Sequence, residues 1–104
     1  MSEARIAALE RRLQKSPDDP RFRFGLALEY QKAGRSEDAA RELRTYLAAS
    51  EDEGNAWGRL GALLREMGQD EEAKEAYRTG IEAAYRHGHP TMAAEFEEIL
   101  EDWT

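Results

Sequence analysis

The residues best suited to chemistry in this sequence are His87 and His89, which flank Gly88. Two imidazoles so close together can begin a metal site, because neutral histidine is a preferred ligand of zinc. The neighbouring sequence supplies no third ligand of the right kind, and Gly88 followed by Pro90 is typical of one helix ending and another beginning. We therefore expect a connector between two helices at this place, with no metal bound.

Adjacent acids are the second set of candidates, since a pair of carboxylates can share general acid and base roles. Glu71–Glu72 and Glu97–Glu98 are such pairs, but they fall in the first turn or on the polar face of predicted helices, where water keeps both groups ionised. The chain has no cysteine and no glycine-rich phosphate loop after a strand, and its serines lie at predicted helix ends. The sequence therefore predicts no catalytic residue, no cofactor and no enzymatic activity.

Charge and composition narrow the possible partners. The 104 residues carry a net charge of −7, whereas a nucleic-acid-binding protein usually presents a basic face. No segment approaches the roughly 20 apolar residues of a membrane-spanning helix, and the acidic start of the chain is unlike a secretory signal. We expect one cytoplasmic domain over residues 1–104 that binds neither nucleic acid nor membrane. The acidic composition fits a salt-adapted source and fits genomic base composition equally well.

The helices that would carry these residues become visible when the sequence is compared with itself at an offset of 34 residues. The stretch KAGRSEDAARELRTYL then lies over EMGQDEEAKEAYRTGI. The aligned residues include the pairs Gly34 and Gly68, Ala39 and Ala73, Leu26 and Leu60, and Tyr30 and Leu64. Internal repetition at such a period indicates a protein built from repeated helix pairs.

Each repeat has the features of two helices joined by a short turn. Asp19 is a favourable N-cap and Pro20 a favourable first residue, so a helix is predicted to begin near residue 20. Gly34 favours the end of that helix, and Ser36 is expected to cap the next one. The second repeat follows the same plan on either side of its own glycine, with Asp70 as the expected cap.

The repeat resembles the tetratricopeptide repeat family, whose pattern is W-x2-L-G-x2-Y and then A-x3-F at a period of 34 residues. In the second repeat Leu64 stands in place of the tyrosine, and the match covers about residues 4–87. The matching residues of the second repeat are Trp57, Leu60, Gly61, Ala73 and Tyr77.

The resemblance implies an all-α fold, a right-handed α-α superhelix or solenoid of about six helices in antiparallel pairs. It identifies the chain as similar to small bacterial-type members with about two and a half repeats. The implied divisions are an N-terminal half-repeat helix at 1–19, a first repeat at 20–53, a second repeat at 54–87 and a C-terminal capping helix at 88–104.

Two glycines inside the predicted helix 55–67 need an explanation, because each destabilises a helix by about 1 kcal/mol relative to alanine. In the family, a small residue of the first helix lets the second helix of the pair lie close. We therefore expect Gly61 and Ala27 to be contact points, opposed by small residues such as Ala39 and Ala73. Gly58 falls on the face that usually lines the binding groove. Its missing side chain either leaves room for a ligand or is a tolerated surface glycine.

The resemblance further implies a non-catalytic protein–protein interaction module that binds a peptide or helix of a partner in its concave groove. Some chaperone-binding members grip a C-terminal carboxylate with lysine and asparagine, but Phe24 and Leu28 stand where part of that set is expected. The basic and apolar content of the face suits an acidic segment with an apolar anchor. By position, the predicted groove residues are Arg21, Phe24, Leu28, Gln31, Lys32, Asn55, Gly58, Arg59, Ala62 and Arg65.

Three alternatives stay open at the level of sequence. Phe24 and Leu28 can instead contact the final helices and leave no groove. The first helix lacks a pairing partner, so the chain can be a weak homodimer held by Leu9 and Leu13, or by Phe22, rather than a monomer. It can also be an assembly subunit without a peptide ligand of its own, or use its acidic C-terminal helix as the contact surface.

Overall fold

The computed structural model describes residues 2–103, which are helical apart from short connections. No strand occurs in that range, and the predicted all-α class is confirmed. The six helices of the described range are α1 (Ser2–Lys15), α2 (Pro20–Lys32), α3 (Ser36–Ala49), α4 (Asn55–Glu66), α5 (Asp70–Arg86) and α6 (Pro90–Glu101).

These helices form two compact units, one ending at Ser50 and the other beginning at Glu51. In the first unit α2 packs against both α1 and α3, and in the second unit α5 packs against both α4 and α6. Each helix thereby buries an apolar stripe against a neighbour, which supplies most of its stability. The largest fully buried side chains are Ile6, Leu26 and Leu43 in the first unit and Leu63 and Leu64 in the second.

The starts of the helices agree only in part with the predicted caps. Asp19 is the N-cap of α2, where its side chain accepts a hydrogen bond from the Arg21 backbone N–H at 2.9 Å, as predicted. Ser36 and Asp70 are instead the first residues of α3 and α5, and neither helix has a side-chain cap. The preceding turn fixes where these two helices begin, so a capping side chain is not required.

Three turns of the chain share one geometry. Gly34, Gly68 and Gly88 have φ angles of +77°, +76° and +77°, a left-handed conformation that favours glycine. In each turn the glycine N–H donates to the carbonyl three residues earlier, and the next N–H donates to the carbonyl five residues before it. The turns α2–α3, α4–α5 and α5–α6 are therefore alike, although the last one lies outside the regular 34-residue repeat.

The position of α6 follows from that third turn. Ala39, Ala73 and Ala93 each lie five residues after a turn glycine, and all three are fully buried, with 0% of their surface exposed. Thus α6 follows α5 as α3 follows α2, and α5 is both the second helix of one hairpin and the first helix of the next. This double use explains why α6 lacks the small-residue pattern of a first helix and why α5 has 17 residues where α3 has 14.

The close approach expected at Gly61 is present, with a different neighbour. A Cβ atom added to Gly61 would lie 2.8 Å from Cε2 of Tyr77 and 2.9 Å from its Cδ2, closer than carbon atoms normally pack. The three atoms nearest to this position all belong to the Tyr77 ring. Ala27, Ala39 and Ala73, the small residues expected at such contacts, are all buried. The glycine allows α4 to lie directly on Tyr77 of α5.

Candidate functional site

The predicted groove residues fall into two sets, one on α2 in the first unit and one on α4 in the second. On α2, Phe24, Leu28 and Gln31 are half-buried, whereas Arg21 and Lys32 are exposed. The α2 helix thus presents apolar and amide side chains with a basic residue towards each of its ends. We call these five residues the α2 face.

The aromatic member of the α2 face packs against the next helix. The ring centroid of Phe24 lies 5.1 Å from that of Tyr46 on α3, with the two rings tilted by 45°. This is a favourable aromatic separation, and it holds the Phe24 side chain in place while leaving it partly accessible. Sequence reasoning missed Tyr46, because a single tyrosine in a predicted second helix has no signal that marks it as a partner of Phe24.

The basic members of the α2 face already have acidic neighbours. The Arg21 side chain donates to both carboxylate oxygens of Asp19, at 2.8 and 3.1 Å, and this hydrogen bonding lowers the pKa of Asp19. The Lys32 ammonium lies 3.6 Å from Glu29. Both basic side chains are largely exposed, and exposed ion pairs contribute little, so a carboxylate from a partner can compete for either cation.

Glu29 is an unexpected feature next to the α2 face. It is only 9% exposed, and its Oε1 atom is buried with no hydrogen-bond partner in the described residues. The nearest cations are Arg5 at 3.8 Å and Lys32 at 3.6 Å, both beyond hydrogen-bonding distance. A buried carboxylate without a hydrogen-bond partner destabilises the fold. The positive charge of Lys32 close to Glu29 reduces this destabilisation.

The α4 set is partly covered by the chain itself. A Cβ atom on Gly58 would lie only 2.5 Å from Cζ of Phe96, so the ring of this α6 residue fills the space that a ligand was expected to use. The guanidinium of Arg65 lies 4.0 Å from the ring centroid of Trp103 in a cation–π contact. Gly58 is therefore neither open to a ligand nor a free surface glycine.

The other three α4 residues keep some accessible surface. Asn55 is exposed, and Arg59 and Ala62 are half-buried. The Nε atom of Arg59 is buried without a hydrogen-bond partner in the described part of the chain. Spacing along α4 placed these residues on one helix. The residues that cover two of their neighbours, Phe96 and Trp103, lie more than thirty positions later and gave no local signal.

The two histidines meet acids that sequence reasoning did not connect with them. His89 is hydrogen-bonded to Glu53, and Nε2 of His87 lies 3.7 Å from Oε2 of Glu51. The interaction with His89 lowers the pKa of Glu53. No group of three or more potential metal ligands occurs among residues 2–103. The two pairs join the segment before α4 to the turn between α5 and α6.

Two of the adjacent acids have neighbours on their own or another helix. Glu71 is highly exposed and lies 3.8 Å from Lys74 one helical turn away. Glu97 accepts a hydrogen bond from the hydroxyl of Tyr85 at 3.1 Å, an interaction that raises the pKa of Tyr85. Within residues 2–103, no helix has the length and apolar content needed to cross a membrane.

Sequence comparison relates this chain to known proteins. The model for the tetratricopeptide repeat matches residues 1–84. TPR repeat-containing protein PA0015 of Pseudomonas aeruginosa is 32% identical over 95 residues, which make up 91% of this chain and 90% of that protein. Heat-shock protein cognate co-chaperone sgt12 of Aspergillus fumigatus is 32% identical over 80 residues, which make up 77% of this chain and 24% of that protein.

Two solved structures resemble the fold. The Sgt2 TPR domain from Aspergillus fumigatus has a TM-score of 0.66 and 28% identity, and the match covers 95% of this chain and 70% of that one. The structure of MamA from AMB-1 has a TM-score of 0.69 at 20% identity, and the match covers 95% of this chain and 64% of that one. At the lower identity the likeness concerns the fold alone.

Proposed function

Because the chain belongs to the tetratricopeptide repeat family, whose members are generally non-catalytic interaction modules, we propose that it binds a segment of a partner protein through the α2 face. The observation that carries this proposal is the half-buried pair Phe24 and Leu28 between the exposed cations of Arg21 and Lys32. Apolar anchors supply most of the binding energy, and the cations select the charge of the partner.

The chemistry of the α2 face points to a segment with one apolar anchor and a nearby carboxylate. Phe24 is held by Tyr46, so little side-chain freedom is lost when a partner packs against it. The carboxylate of the partner would replace Asp19 at Arg21 or approach the ammonium of Lys32. Asn55, Arg59 and Ala62 of α4 offer a second, smaller contact surface in the same proposal.

The sequence similarity of this chain to a co-chaperone supports a peptide as the class of ligand. The relative sgt12 is a co-chaperone of heat-shock cognate protein. Phe24 and Leu28 nevertheless occupy positions where chaperone-binding members carry part of a polar carboxylate grip, which favours a ligand held by an apolar anchor over one held by its terminus alone.

The experiment compares the wild-type chain with Phe24→Glu and with Ala48→Glu as a matched control. Both variants add one negative charge, and Ala48 is an exposed residue of α3 that does not belong to the α2 face. A partner captured from a lysate is identified, its binding segment is made as a peptide, and the peptide is titrated against all three proteins. We expect at least a tenfold weaker affinity for Phe24→Glu, about 1.4 kcal/mol, and no change for Ala48→Glu.

Equal affinity of the peptide for all three folded proteins would contradict binding at the α2 face. Circular dichroism establishes that each variant retains its helices. A loss of binding in both variants would indicate a general effect of negative charge and would also contradict the specific site.

The apolar homodimer has less support from the structure. The two methyl carbons of Leu9 lie 3.7 and 3.8 Å from the position of a Cβ on Gly25, inside the contact between α1 and α2. Phe22 has the guanidinium groups of Arg12 and Arg21 at 5.7 Å from its ring centroid. These side chains therefore have neighbours within the first unit.

A further inference from the structure

The C-terminal half of α1 carries a row of exposed cations, of which Arg12 lies 5.7 Å from the ring centroid of Phe22. Ala8, Arg11, Arg12 and Lys15 follow each other at helical spacing and line one shallow cleft of about 460 Å³. The three basic side chains are exposed, and none forms an ion pair with any described residue. The first helix therefore presents a charged surface where an unpaired helix was expected to present an apolar one. We call these four residues the basic row.

The outer face of α6 carries a row of opposite sign. Ala94, Glu95, Glu98 and Glu101 are exposed and lie on one side of the helix. None of these acids has an ion pair within residues 2–103, and the last turn of α6 contains no basic residue. We call these four residues the acidic row.

Each row places like charges next to one another, although Arg12 and Lys15 lie in the last turn of α1, where the helix dipole favours cations. Like charges three or four residues apart destabilise a helix. Acids in the second half of α6 also oppose its dipole, which favours cations at the C-terminal end. Near the start of α3, by contrast, an acid lies between two cations. Asp38 accepts hydrogen bonds from both Arg35 and Arg41 at 2.8 Å, which reduces the repulsion between the two arginines. A surface of opposite charge would relieve it at the two rows.

We propose that the basic row of one copy of this chain docks on the acidic row of a second copy. The two rows have opposite charge, and each consists of three ionic side chains and one alanine. Both surfaces belong to this chain, so a second copy supplies the oppositely charged partner of each row. The contact is separate from the α2 face.

Such a contact is head-to-tail rather than symmetric. A copy that has used its basic row still presents a free acidic row, so further copies can be added unless a ring closes. The contact relies on exposed charges, which makes it weak and sensitive to salt. We expect association near millimolar protein at low ionic strength, and at least a tenfold weaker association constant at about 300 mM salt.

Sedimentation equilibrium of the full chain tests the proposal from about 20 μM to about 1 mM protein, at about 20 and 300 mM NaCl. At low salt the average mass should rise with concentration above the 11.8 kDa of one chain, and at high salt it should return towards that value. An average mass that stays at one chain under all conditions would overturn the proposal and leave the basic row to an acidic segment of another protein.

Charge reversal identifies the surfaces. One variant carries Arg11→Glu, Arg12→Glu and Lys15→Glu, and another carries Glu95→Lys, Glu98→Lys and Glu101→Lys. Each variant alone should stay monomeric, and a mixture of the two should associate. A chain with all six substitutions should associate by itself, and because its net charge is again −7, overall repulsion does not explain the losses.

Association that survives either triple reversal would overturn the proposal, and so would a mixture and a six-substitution chain that stay monomeric while circular dichroism shows them folded. Phe24→Glu serves as the control that separates the two surfaces. It should abolish peptide binding at the α2 face and leave the mass distribution of the chain unchanged.

Discussion

At the scale of single residues, a glycine inside a helix is informative only when its neighbours are known. Gly25 and Gly61 both lie within helices, and both lower helix propensity. Around Gly25 the nearest atoms are 3.7 Å from an added Cβ, an ordinary contact, whereas around Gly61 they are at 2.8 Å. The two positions therefore respond in opposite ways to the same substitution.

We expect Gly25→Ala to stabilise the protein by about 0.4–1 kcal/mol and Gly61→Ala to destabilise it by about 1–3 kcal/mol. Alanine favours the helix at both sites, but at Gly61 its methyl group collides with the ring of Tyr77. Urea unfolding followed by circular dichroism measures both changes. A Gly61→Ala protein as stable as the wild type would show that the ring can move aside freely.

Tyr30 is the residue whose ionisation depends most on the fold. Burial and the hydrogen bond from its hydroxyl to Oε2 of Glu10, 2.7 Å long, raise the pKa of Tyr30 to about 12. A raised pKa stabilises the folded protein fully below the ordinary tyrosine value of about 10, and this contribution is lost as pH rises through the folded value.

We expect Tyr30→Phe to be less stable than the wild type at neutral pH by about 1–3 kcal/mol, since Glu10 loses its donor. The difference should shrink as the pH rises above about 10, where the ionised wild-type side chain loses its advantage. Chemical unfolding at pH values on both sides of this range gives the comparison. A constant difference across it would mean that the hydroxyl is not buried as described.

At the scale of helices and connections, the paired histidines and acids hold the segment before α4 to the turn before α6. Hydrogen bonding to His89 lowers the pKa of Glu53, so the folded state gains stability above the ordinary glutamate value and loses it as pH falls. We expect Glu53→Gln to destabilise the protein at about pH 6 and to have little effect near pH 3. Urea midpoints at the two pH values measure this.

Glu51→Gln is the natural comparison, because Glu51 lies farther from its histidine, at 3.7 Å. It should lower the urea midpoint at about pH 6 less than Glu53→Gln does. If Glu53→Gln lowered stability equally at both pH values, the carboxylate would act through its shape rather than its charge.

The helices were predictable because their signals are local. Asp19, Pro20 and the turn glycines lie within a few residues of the ends that they define, and the repeat supplied the glycine signal twice, at Gly34 and Gly68. The cover of α4 by Phe96 and Trp103 was not predictable in this way. Those contacts join residues far apart in the chain, and their geometry depends on the third turn, which breaks the repeat period.

The candidate site shows the same division. Period and spacing assigned Phe24 and Leu28 to one helix face, which is a local property. They did not indicate that Tyr46 supports Phe24, or that Glu29 would be buried beside Lys32, because these depend on how α2 meets α1 and α3.

At the scale of the whole molecule, charge governs how the chain behaves in solution. Its net charge of −7 at neutral pH disappears near its isoelectric point of about 4.9. Because mutual repulsion keeps acidic proteins apart, we expect the solubility to be lowest close to that pH. Turbidity measured across pH 3–8, with about 100 mM salt held constant, tests this. A minimum well away from the isoelectric point would show that local charge rows outweigh the net charge.

The third turn also sets a rule for anyone who wishes to build longer arrays from this chain. The α6 helix takes the place of the second helix of a pair, and α1 corresponds to the second helix of a repeat. A genetic fusion that joins residue 103 to the α1 of another copy would therefore put two second helices in succession. An array that preserves the alternation must therefore remove residues 88–104 from every copy except the last and residues 1–19 from every copy except the first. Residues 88–104 therefore interrupt the alternation of helices, and any added repeat units would have to be inserted before residue 88.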